Sequence, residues 1–140
     1  MNNYLQPVSR AFIALLFIFT GFTKITGFEG VSAMMGGAGM PAPGLLLVGA
    51  ILIELIGGLM LLVGYKVRLA SVALLLFMVP TTILFHAANI NATPAGQMEI
   101  ISTLKNLAIM GGLLIMAASG AGAYSVDAMK LRESGALRTV

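Results

Sequence analysis

The chain has 140 residues, 59% hydrophobic and only 9% charged, far below the roughly 25% charge of a water-soluble domain, so a lipid bilayer is its expected solvent. It contains no cysteine, which excludes disulfides, thiol exchange and thiolate metal sites. The net charge of +3 comes from basic residues placed singly, without the stripe or cluster that would indicate nucleic acid.

In chain order, four apolar segments near the ~20 residues needed to cross a ~30 Å hydrocarbon layer predict an all-α, four-transmembrane-helix bundle in a single membrane domain, 1–140. The first span is read at about 7–25. Pro7 suits its opening turn, where no intrahelical partner is lost, and Arg10 and Lys24 are expected to snorkel to opposite interfaces. A polar start without a short apolar core and a small-residue cleavage site argues against a cleaved signal peptide. Residues 27–43, rich in glycine and methionine, predict a short interfacial helix around 29–35. The second span is read at 44–64 and the third at 69–88, where Pro80 is expected to bend the helix and free a carbonyl near Leu76. Residues 89–101, with Pro94 and Gly96, read as an external loop in which Glu99 is a charge in water. The fourth span is read at 103–119.

Charge placement sets the orientation. Arg10, Lys66, Arg68, Lys130, Arg132 and Arg138 fall at one side and only Lys24 and Lys105 at the other. The excess of basic residues marks the cytoplasmic side, so both termini and the 65–69 turn are expected there. An even number of spans is required, and four satisfies it.

Glu54 lies about ten residues, roughly 15 Å, from either end of the second span. Its short stem cannot carry the carboxylate to water, so it is expected to be paired, protonated or facing a polar cavity. Lys24 is the first candidate partner and Lys105 the second; a functional pair, a structural pair and no pair all remain open. His86, the only histidine, lacks the further ligands of a metal site, and no metal is expected. It is either an interface residue bonded to water or Thr82, or a group that meets a quinone carbonyl or relays a proton. Asn106 completes the ligand-binding or proton-handling candidates, while Arg10, Arg68 and Asp127 are candidates on the cytoplasmic side. Ala50, Gly57 and Gly58 share a face with Glu54, and Ala108, Gly112 and Ser119 line the fourth span, predicting close helix packing. No phosphate-binding glycine loop and no activated serine are recognisable.

The segments Leu15-Leu16-Phe17-Ile18-Phe19-Thr20-Gly21-Phe22-Thr23-Lys24-Ile25, Glu54-Leu55-Ile56-Gly57-Gly58-Leu59, Lys105-Asn106-Leu107 and Ser119-Gly120-Ala121-Gly122-Ala123-Tyr124-Ser125-Val126-Asp127 occur in an order and spacing that resemble the DoxX family. The chain is especially similar to its short bacterial inner-membrane members. The resemblance implies a multi-pass bundle in the bacterial inner membrane and a link to quinone-dependent redox complexes. With no cysteine pair and no intrinsic electron carrier, an accessory subunit or binding module is expected rather than a complete enzyme. It would bind a quinone or similar amphipathic ligand and assist an oxidoreductase partner subunit, either alone or as a homo-oligomer among membrane lipids. The alternative is a non-enzymatic assembly or envelope-integrity protein; a small transporter has less support, because no inverted repeat is visible.

Overall fold

The computed structural model describes residues 4–91 and 93–134, and every regular element in them is helical. The elements are α1 (Leu5–Thr26), α2 (Phe28–Gly37), α3 (Pro43–Val63), α4 (Val67–Phe85), a 3-10 turn (Ala87–Asn89), α5 (Pro94–Ser119) and α6 (Val126–Glu133). α1, α3, α4 with its following turn, and α5 are each long and apolar enough to cross a membrane. α1 packs along α3, α3 against α4, and α4 against α5, while α2 lies across the start of α3.

The core is thin, as expected for a bundle whose outer surface meets lipid. Ala14, Phe17, Leu61, Leu74, Met78, Leu113 and Met116 form its centre. A smaller cluster of Met35, Leu47 and Ile51 joins α2 to α3, with Phe28 and Phe85 packed against it. Phe12, Phe19, Leu45, Leu76 and Ile115 point outward. In lipid such residues lose nothing by exposure, so association rests on close packing and on interhelical hydrogen bonds. Gly58 supplies the close approach: a Cβ there would lie 3.2 Å from the Ala14 carbonyl oxygen and 2.9 Å from Ile18 Cγ1.

Turn chemistry places the helices end to end. Gly64 closes α3 in the left-handed region at φ 74°, with its N–H donating to Leu61 and the Tyr65 N–H donating to Met60. This is the paired bonding of a Schellman cap. Pro43 opens α3 and Pro94 opens α5 in the first turn, where a missing N–H costs nothing.

Two boundaries differ from the sequence expectation. The fourth long helix begins at Pro94 rather than at residue 103, so most of the anticipated 89–101 loop is helical. The Thr93 hydroxyl accepts from the Gly96 N–H at 3.1 Å, and Pro94 therefore acts as a helix start where its proximity to Gly96 suggested a break. The third long helix runs Val67–Phe85 and ends in a 3-10 turn, and it continues through Pro80. α6 was not anticipated. Arg138, counted among the basic residues of the orientation argument, lies outside the described residues.

Candidate functional site

Lys24 sits in the last turn of α1 and Glu54 in the middle of α3. The packing of α1 along α3 brings the Lys24 ammonium to 2.9 Å from each carboxylate oxygen of Glu54. Glu54 lies ten residues before Gly64, so the pair is about 15 Å from that end of α3. The two partners are unequally covered, with Lys24 27% and Glu54 6% exposed at the side chain. Glu54 is thus enclosed, while the ammonium reaches the bundle surface. An ammonium has three donors, and the two carboxylate oxygens take two of them. Lys105 is exposed on α5 and makes no ion pair with Glu54 among the described residues.

A second group joins α4 to α5 at the end of the bundle where α4 terminates. The Asn106 side-chain amide donates to the Thr82 hydroxyl at 3.0 Å, and Thr82 is buried. One turn later, His86 Nδ1 lies 2.5 Å from Glu99 Oε2. Both partners are about one third exposed. The sequence had suggested Thr82 or water for His86 and open water for Glu99. The antiparallel register of α4 and α5 decides otherwise, because it sets Thr82 opposite Asn106 and His86 opposite Glu99. No hydrogen bond or ion pair among the described residues joins this group to Lys24 and Glu54. The candidates therefore form two separate contacts, one on each helix pair.

The opposite end of the bundle holds a third polar group. Arg10 is buried at 3% exposure and donates from Nη2 to the Tyr124 carbonyl at 2.6 Å. It was expected to snorkel to the interface; the 120–125 connection instead folds over it. Its Nε and Nη1 find no partner among the described residues. Asp127 accepts the Lys66 and Val67 N–H groups at 2.8 and 3.2 Å, and its own N–H donates to the Gly64 carbonyl at 3.0 Å. A carboxylate thus caps α4 from sixty residues away, favoured by the positive end of the helix dipole. The Tyr4 and Tyr124 rings stack 5.1 Å apart, and the hydrogen bond to the Tyr4 hydroxyl holds the Tyr124 phenol above its ordinary range. Glu99 and Tyr124 were missed as site neighbours, and Thr82, expected beside His86, bonds Asn106 instead. The one available signal was Ser125, whose hydroxyl caps α6 by accepting from the Ala128 N–H and so places Asp127 in a first turn. Among the described residues no group of three or more His, Cys, Asp or Glu could hold a metal ion.

Residues 6–87 match the DoxX family model. The chain belongs to the DoxX family. It is similar to "Inner membrane protein YqjF" of Escherichia coli (strain K12), with 38% identity over 120 residues that cover 86% of this chain and 87% of that protein. It is also similar to "Inner membrane protein YphA" of the same organism, with 29% identity over 120 residues and 86% of each chain covered. No solved structure matches it. This DoxX protein is accordingly a multi-pass inner-membrane protein.

Proposed function

We propose that this DoxX protein binds a quinone or similar amphipathic carbonyl compound at the Lys24–Glu54 pair and presents it to an oxidoreductase partner in the membrane. The observation that carries this reading is the unequal cover of the pair: Glu54 is enclosed and Lys24 is partly open. Glu54 holds the ammonium in place, and the third ammonium proton can be donated to a ligand carbonyl arriving from the lipid side. A buried pair is a poor device for stability alone, since apolar residues of similar volume serve as well or better. In a chain without cysteine, electron transfer is assigned to the partner, and both termini are assigned to the cytoplasm.

The competing reading is a non-enzymatic assembly or envelope-integrity protein. It is favoured by the pairing of His86 with Glu99 and of Asn106 with Thr82, which leaves these side chains serving as links between α4 and α5. Purification in mild detergent followed by lipid-extract mass spectrometry separates the two. Retained quinone, with saturable binding in nanodiscs that is lost in Lys24→Met, is the expected outcome. No retained quinone and no saturable binding would transfer the protein to the second reading.

A further inference from the structure

A groove of about 840 Å³ opens beside α6 at the end of the bundle opposite His86, lined by Lys66, Arg68, Ser119, Gly120, Asp127 and Lys130. Its charge is unbalanced, with three cationic side chains around a single carboxylate. That carboxylate already accepts the Lys66 and Val67 N–H groups, so it closes the N-terminus of α4. The Lys66 and Lys130 ammoniums lie 5.5 and 4.5 Å from the centre of the Tyr65 ring, and none of the three cations forms an ion pair with a carboxylate among the described residues. A smaller cavity of about 160 Å³ between α1 and α5 shares Ser119 and Gly120 with the groove and includes Arg10 in its wall. Arg10 is buried, with two nitrogens that have no partner among the described residues. A fourth positive charge without an acidic side chain bonded to it therefore stands next to the groove.

The position identifies the anion. α5 ends at Ser119 and α4 begins at Val67, so the cations lie where membrane-crossing helices meet the headgroup layer. Basic pockets at such helix ends suit anionic phospholipid headgroups. Leu69, Ala121 and Leu131 in the same lining offer apolar cover for the first carbons of an acyl chain. We propose that this groove binds the phosphate of an anionic phospholipid through Arg68, Lys66 and Lys130, so that the lipid fastens α6 to the start of α4. This site is independent of the Lys24–Glu54 pair.

Native mass spectrometry of the full chain, delipidated and then offered equal phosphatidylglycerol and phosphatidylcholine, tests it. Preferential retention of phosphatidylglycerol is expected, falling about fivefold for each cation removed in Arg68→Gln and in Arg68→Gln with Lys130→Gln. Lys105→Gln, which removes an equal charge from α5 outside the groove, should retain lipid as the wild type does. Equal retention of the two lipids by the wild type overturns the proposal, and this comparison needs no variant to fold. Undiminished retention in folded Arg68→Gln, or displacement of the lipid by millimolar inorganic phosphate, also overturns it, the latter by showing a site for free anions.

Discussion

Lys24 and Glu54 exchange two hydrogen bonds across α1 and α3, and removing either partner strands the other in apolar surroundings. Such a loss costs about 3–5 kcal/mol for a buried pair, with the smaller end expected because the ammonium is partly open. Glu54→Gln or Lys24→Met should therefore lower the detergent melting temperature markedly. The double substitution Lys24→Met with Glu54→Leu should recover most of that stability while failing to retain quinone. Recovery of both stability and ligand would remove the pair from any binding role. Glu99→Gln provides the contrast: its partner His86 is one third exposed, so the change should cost less than about 1 kcal/mol.

At the scale of elements, α4 depends on α6 for its first turn. Asp127→Ala removes the acceptor for two N–H groups that have no intrahelical partner, and the loss of a helix cap costs about 0.5–2 kcal/mol. Amide hydrogen exchange should accelerate at Lys66 and Val67 while the middle of α4 stays protected. Unchanged protection at both amides would show that the cap contributes nothing. Gly64→Ala should act on the same junction more severely. Its φ of 74° disfavours a side chain, and a Cβ there would lie 2.5 Å from Ser125 Cβ. The expected destabilisation exceeds about 1 kcal/mol, and melting in detergent reads it.

At the scale of the whole molecule, Arg10, Lys66, Arg68, Lys130 and Arg132 belong to the end that contains Gly64 and α6, whereas Lys24 and α2 belong to the other and Lys105 lies within α5. The positive-inside rule then predicts that α6 faces the cytoplasm and α2 the opposite side. A chain without cysteine makes this measurable with single cysteines. In intact cells a membrane-impermeant maleimide, admitted to the periplasm, should label Glu29→Cys and spare Ser134→Cys until the membrane is opened. The reverse pattern would invert the assignment, and labelling of both in intact cells would contradict an even number of crossings.

Four long apolar helices, a carboxylate in the middle of one of them and DoxX membership were legible in the residues. Each depends on local composition or on motif order, and the bilayer imposes its length requirement on every span alike. Lys24 was also the nearest plausible partner for Glu54, because consecutive antiparallel helices bring the end of one beside the interior of the next. The tertiary structure decided what depends on register and on distant chain segments. Glu99 looked like a water-facing charge until α5 was extended back to Pro94 and laid against α4, opposite His86. Arg10 looked like an interfacial cation until the 120–125 connection supplied the Tyr124 carbonyl and covered it. Asp127 could be recognised as a residue of the chain's end, but not as the cap of α4, because its acceptors and the amides they meet are sixty residues apart. Local preference does not encode such a meeting; only packing α6 against the α3–α4 turn creates it.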